Sequence, residues 1–193
     1  MTPPAATLGQ VLGYENDWVV HKFCERYALS FAAASDVFLE TKRWLWLVAH
    51  AQQDPAAPTL TLIGFDSLTV VDEMWHTFIL FTQPYAEFCQ ASFGRFIHHA
   101  PATQADRQRS AIEHAHDAGA FDQARLDDFR IQARYVGERL GPDTVRKWFR
   151  TYARRYSLAR LDRLLVPRAQ RSSRYASSAQ ARRRTPLERM GSP

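Results

Sequence analysis

Apolar residues at helical spacing, separated by helix-starting and helix-ending residues, are the feature that most limits the fold of this chain. Strand signals are few: TLTLI, Thr59 to Ile63, combines β-branched residues with alternation. No segment repeats at a fixed period, which excludes a solenoid. The sequence therefore predicts a mainly α-helical protein, an irregular bundle of about six or seven helices with room for one short β element.

Capping and breaking residues give the approximate bounds of these helices. The predicted helices start near Asn16 or Asp17, run from Ser35 or Asp36 to about Gln52, from Val70 to about Phe81, from Tyr85 to about Phe93, from Thr103 to about His116, over roughly 122–139, and over 143–165. We expect a flexible N-terminus at 1–13, one helical domain at 14–166 and a disordered, arginine-rich tail at 167–193. A chain of 193 residues is long enough for one domain with a substantial core.

The positive charge is concentrated at the C-terminal end. Residues 168–193 contain seven arginines and one acid, Glu188, so the formal charge of this tail is +6. The rest of the chain has a formal charge of −1, which gives the total of +5. A solvated basic terminus is the simpler interpretation. The alternative is nonspecific contact with nucleic acid through residues 168–189.

Other features predict a cytoplasmic protein. Cys24 and Cys89 have no CxxC spacing and form no disulfide framework, which fits a reducing compartment. The N-terminal residues lack the basic and apolar regions of a signal peptide. The longest apolar runs, such as WLWLVA, are too short to span a membrane.

A cluster of acidic and histidine residues is the candidate site. Asp72 and His76 lie four residues apart, on the same face of the third predicted helix, and His98 and His99 follow in a connecting segment. Carboxylate and imidazole are ligands for zinc, iron or manganese, so these four residues are candidate metal ligands. Glu73 is the candidate general base.

The competing interpretation needs no metal. Thr69 and Asp72 form a T-x-x-D pattern in which Asp72 caps the helix, and His76 merely hydrogen-bonds to it. Under that interpretation, the two adjacent histidines are loop residues, one buried and one exposed. Spacing alone leaves both alternatives open.

The stretch VDEMWHTFILFTQPYAEFCQASFGRFIHHAP, Val71 to Pro101, resembles the glycine-rich domain-containing protein-like (DUF1399-type) family. The matching residues are Asp72, Trp75, His76, Tyr85, Cys89, Phe93, Gly94, His98 and His99. Phe78 stands where larger members have a second histidine, and the glycine-rich tail is absent. The resemblance implies a motif but no activity, and it favours the metal site.

Three functions are compatible with these residues. The first is a metal-binding helical protein; if it is an enzyme, metal-assisted hydrolysis or oxidation are the reaction classes. The second is a non-catalytic module whose Trp75, His76 and FIHH turn bind a protein partner. The third is a nucleic-acid accessory protein that binds through the basic tail.

Overall fold

The computed structural model describes residues 6–55, 62, 65–100, 102–167 and 170. Its helices are α1 (Leu8–Leu12), α2 (Asp17–Arg26), α3 (Phe31–Ala51), α4 (Thr69–Ile79), α5 (Thr82–Phe93), α6 (Gln104–His116), α7 (Ala118–Leu140), α8 (Pro142–Arg146), α9 (Ala153–Arg155) and α10 (Leu158–Leu164). A 3₁₀ turn (Asp66–Leu68) precedes α4, and a π-helical segment (Lys147–Tyr152) joins α8 to α9. The prediction of a mainly α-helical fold is confirmed.

β structure in the described part of the chain is limited to an isolated antiparallel bridge between Tyr27 and Leu165. The β element predicted at Thr59–Ile63 falls outside the described residues except for Leu62. Of the predicted tail, only Pro167 and Gln170 are described. Among the described helices, none has both the length and the apolar character needed to cross a membrane.

Several helix bounds differ from the predicted ones because local capping differs. A helix, α1, forms within the expected N-terminal lead-in, where Thr7 and Gln10 make a capping box. The second predicted helix begins earlier, at Phe31, because the Ser30 hydroxyl accepts a bond from the Ala33 amide. The last predicted helix is interrupted at Tyr156, and Ser157 starts α10.

The core surrounds α3, which packs against α1, α2 and α4. Eleven α3 residues are buried, so this helix contacts the interior around most of its circumference. Aromatic side chains from α4 and α5 fill the space beside it, with Phe78 against Phe38, Tyr85 and Phe88. This packing fixes the position of α4, which carries the candidate site.

The region after the core is an extended hairpin. None of the α6 residues is buried, and α7 buries only Gln132, Tyr135 and Val136. The far end of α7 returns to the core, where Tyr135 donates a hydrogen bond to Asp54 and Arg139 pairs with the same carboxylate. The hairpin thus contributes little to the core, and the candidate site lies outside it, among α3, α4 and the segment after α5.

Candidate metal centre

Helix α4 presents Asp72 and His76 on one face, as their spacing predicts. The 3₁₀ turn before α4 changes how this helix starts, so the predicted T-x-x-D cap is wrong: Leu68 is the N-cap residue and provides no side-chain cap. The Thr69 hydroxyl donates instead to the Asp66 carbonyl oxygen. The Asp72 carboxylate is thereby available to the histidines.

The segment after α5 brings His99 to the same carboxylate. His99 Nε2 lies 2.7 Å from Asp72 Oδ1, and His76 Nδ1 lies 3.5 Å from Asp72 Oδ2. The two imidazole rings are adjacent, with 4.4 Å between their centroids. Ligand atoms from the three side chains all lie within 4.8 Å of one another, so Asp72, His76 and His99 form a group able to hold a metal ion.

Burial alternates along the segment that carries the two adjacent histidines. Ile97 is buried and His99 half-buried, whereas Phe96 and His98 are exposed. Alternation with a period of two is typical of extended backbone. The His98 ring lies against Phe96, 4.9 Å between centroids, and is not part of the group of three.

Hydrogen bonds beneath the cluster fix the backbone before His99. Gly94, at φ 67°, ends α5 in the left-handed conformation that glycine adopts without strain. Trp75 Nε1 donates to the Tyr85 hydroxyl at 2.9 Å, and that hydroxyl donates to the Ile97 carbonyl oxygen at 2.6 Å. Burial raises the pKa of the Tyr85 hydroxyl far above its usual range, so it stays protonated and remains a donor.

Trp75 also contacts the cluster directly. Its ring meets the His99 ring edge-on, with 4.4 Å between centroids, and only 7% of the Trp75 residue surface is exposed. The indole therefore orients the imidazole from the interior side. It does not lie on the open surface, where the protein-interaction hypothesis expected it.

A cleft of ≈ 680 Å³ opens in front of the three side chains. One wall is apolar and comes from α3 and the 3₁₀ turn; it includes Trp44, Val48, Ala51, Phe65 and Leu68. The other wall carries Asp72, His76, His98 and His99. About 40% of the Asp72 and His76 side chains is exposed, against 11% for His99, so the carboxylate and one imidazole are accessible from the cleft.

The remaining candidates lie elsewhere. Glu73, the predicted general base, pairs with Arg26 at 2.9 Å and is not among the cleft-lining residues. Cys89, which also belongs to the Val71–Pro101 stretch, is fully buried, and burial raises the pKa of its thiol, as expected for a core residue. Sequence reasoning did not identify Trp75 and Tyr85 as supporting residues or choose between the two adjacent histidines. The apolar residue Ile97, two positions before His99, was the sequence signal that could have identified His99 as the inward-facing histidine.

One family model matches this chain. Its description is UCP032817-like, and the match covers residues 20–118, slightly more than half of the sequence and all of the candidate site. The expected glycine-rich domain-containing protein-like (DUF1399-type) family is therefore wrong, because the matching model is that of a different family. A motif of about thirty residues was too short to assign the family. Neither the curated proteins nor the solved structures include a match.

Proposed function

The chain belongs to the UCP032817-like family, and we propose that Asp72, His76 and His99 bind one divalent metal ion at the back of the cleft. The observation that carries this proposal is the convergence of two imidazoles and one carboxylate, with all ligand atoms within 4.8 Å. Zinc, iron and manganese all accept this donor set. The family match gives no activity, so the proposal depends on the geometry alone.

The spacing of the ligand atoms fits an ion after small side-chain movements. Ligands about 2.0–2.2 Å from a metal lie at most about 4.4 Å apart, slightly less than the upper limit of 4.8 Å found here. The 2.7 Å contact between His99 and Asp72 is a hydrogen bond, and the ion would replace its proton. The exposed part of the His76 side chain leaves room for that ring to adjust.

Three protein ligands leave coordination positions open towards the cleft. A water molecule or substrate can occupy those positions, as in other sites with two histidines and one carboxylate. The reaction classes that follow are metal-assisted hydrolysis and oxidation, and the apolar wall favours a substrate with an apolar part. Glu73 is paired with Arg26, so the geometry gives it no part in this site.

Elemental analysis of the purified protein, with and without reconstitution by Zn²⁺, Mn²⁺ or Fe²⁺, tests the proposal. We expect near-stoichiometric metal in the wild type and its loss in Asp72→Asn, His76→Ala and His99→Ala. His98→Ala is the matched control, because it removes the neighbouring imidazole that lies against Phe96. It should retain the metal. A wild type that takes up no metal, or a His98→Ala variant that loses it, would contradict the proposal.

The protein-interaction alternative stays a prediction. With Trp75 buried, a partner surface at this place would consist of the exposed side chains of Phe96 and His98 and of part of His76. Binding of a partner would then be sensitive to His98→Ala. The metal site predicts no effect of that substitution, so the same variant separates the two functions.

A further inference from the structure

A second candidate site lies on the exposed face of the helices after α7 and shares no lining residue with the cleft. Six residues line a hollow of ≈ 380 Å³: Arg146, Arg150, Thr151, Arg154, Arg155 and Arg160. Five of the six are arginines, and no carboxylate is among them. We propose that this arginine hollow binds the phosphate backbone of nucleic acid without sequence preference.

The charges in the arginine hollow are largely uncompensated. Arg146 pairs with Asp143 at 3.1 Å across an exposed contact, and the Arg155 guanidinium lies over the Tyr156 ring. Among the described residues, no ion pair is found for Arg150, Arg154 or Arg160. Residues 1–167 have a net charge of −1, so five positive charges in one hollow are a strong local concentration.

The inner face of the same helix is fixed to the core, which holds the arginines in place. Lys147 Nζ lies 2.5 Å from Asp36 and 2.9 Å from Glu40, and Trp148 Nε1 donates to Glu40 at 2.7 Å. The Tyr152 hydroxyl donates to Asp36 at 2.8 Å. These contacts anchor the π-helical segment Lys147–Tyr152, a conformation that is frequent at functional sites.

The part of the hollow that comes from α10 is fixed as well. Arg160 comes from α10, which buries Leu161 against the core. After α10, the Ala28 amide donates to the Leu164 carbonyl oxygen at 2.7 Å, and the Val166 amide donates to the Arg26 carbonyl oxygen at 2.9 Å. The backbones on both sides of the hollow are therefore held, and a ligand need order only the arginine side chains.

The dimensions favour a chain of phosphates over a single one. Arg146, Arg150 and Arg154 recur at intervals of four residues through α8, the π-helical segment and α9, and all three line the hollow. Eight residues of helix extend over at most about 12 Å. Phosphates of one duplex strand follow at about 3.4 Å along the axis, so this row spans several of them. A guanidinium group can donate two parallel hydrogen bonds to one phosphate, so arginine is better suited to this contact than lysine.

The sequence continues this charge pattern beyond the hollow. Seven arginines and one glutamate follow in residues 168–193, outside the described structure except for Gln170. The tail alone was the predicted nucleic-acid contact. The arginine hollow adds a folded contact whose removal has a measurable effect even when the tail is intact.

Fluorescence anisotropy with the full-length protein tests the proposal, using a labelled 20-nucleotide strand and a 20-base-pair duplex of unrelated sequence. We expect Arg150→Ala/Arg154→Ala to weaken binding about tenfold and to lower the salt slope by about 1.4–1.8, because each of the two lost phosphate contacts contributes about 0.7–0.9. Arg109→Ala/Arg134→Ala is the matched control, since it removes two exposed charges from α6 and α7. It should change affinity less than twofold.

Three results would overturn the proposal. The first is equal binding by both double variants, which would assign all affinity to the tail. The second is no binding of either oligonucleotide by the wild type at low salt. The third is binding of vesicles containing phosphatidylserine without binding of oligonucleotides, which would indicate an acidic membrane surface. Arg150→Gln/Arg154→Gln repeats the measurement with longer polar side chains, and circular dichroism of each variant checks the fold.

Discussion

Glu40 and Asp72 are carboxylates that each connect a helix to a distant segment of the chain, and they differ in burial and in the kind of hydrogen-bond partner. Glu40 is 2% exposed and accepts from Lys147 and Trp148, with Arg43 at 3.2 Å. The Asp72 side chain is 42% exposed, and its partners among the described residues are two histidines. Burial together with permanent donors indicates a structural role. Exposure beside ligand-type side chains indicates a binding site.

The first prediction addresses the structural cluster and has the largest expected effect. Glu40→Ala should lower the free energy of unfolding by about 3 kcal/mol, because it leaves the buried Trp148 indole N–H without its acceptor and leaves Asp36 as the remaining carboxylate partner of Lys147. Urea unfolding followed by tryptophan fluorescence measures it. Asp127→Ala removes a carboxylate from an exposed pair with Arg130 and is the control that should leave the midpoint unchanged. Equal midpoints for the two variants would refute the structural role.

The second prediction concerns the link between the core and the metal ligands. Tyr85→Phe removes the hydroxyl between Trp75 and the Ile97 carbonyl, and should cost about 2 kcal/mol, because two buried groups lose a partner. It should also weaken metal binding by about 10–100-fold, as loss of a supporting hydrogen bond does in other sites. Urea unfolding and metal titration calorimetry measure the two effects.

The control for that prediction is Tyr152→Phe. Its hydroxyl donates to Asp36, far from the three ligands in the sequence and outside the residues that line the cleft. It should reduce stability and leave metal affinity unchanged. If Tyr85→Phe also binds metal with wild-type affinity, the hydrogen bonds beneath the segment Phe96–His99 do not position His99.

The sequence predicted the helical fold and the Asp72–His76 pair because both depend on local spacing. The i, i+4 relation holds in any regular helix, and the stops at Gly94 and Asp117 are local capping effects. The choice between the adjacent histidines depends on how the segment after α5 packs, through Tyr85 and Ile97. The wrong cap at Thr69 has a similar origin, since the preceding 3₁₀ turn packs against the π-helical segment and α9, which are distant in the sequence. The arginine hollow was not predicted from the sequence, because Arg160 comes close to the arginines of residues 146–155 only in the folded structure.

Lys42 provides an intermediate case, a buried cation with neutral partners. Its Nζ donates to the carbonyl oxygens of Leu12 and Tyr14, and burial lowers its pKa to about 8. Between pH 8 and the ordinary lysine pKa, the unfolded chain binds the proton that the folded chain has lost, so stability rises with pH. From pH 8 to 9.5 the gain should be about 1 kcal/mol after allowance for solvent screening.

Lys42→Met isolates this contribution, because other groups act in the opposite direction at higher pH. Burial raises the pKa of Tyr27 to about 12, so ionisation of the unfolded chain above pH 10 reduces stability. The test is therefore the difference between wild type and Lys42→Met in urea midpoints at pH 8.0 and 9.5. If that difference does not change with pH, burial does not lower the pKa of the Lys42 ammonium group into this pH range.

The last prediction returns to Asp72 and has the smallest effect on stability. Asp72→Ala should change the free energy of unfolding by only about 0.5 kcal/mol without metal, since the carboxylate is exposed and loses no permanent donor. Adding Zn²⁺ at 100 times its dissociation constant should stabilise the wild type by about 2.7 kcal/mol and the variant not at all. Urea midpoints with zinc and with a chelator measure this. A variant that is stabilised as much as the wild type would show that zinc binds elsewhere, and a variant that unfolds like Glu40→Ala would make Asp72 a structural residue.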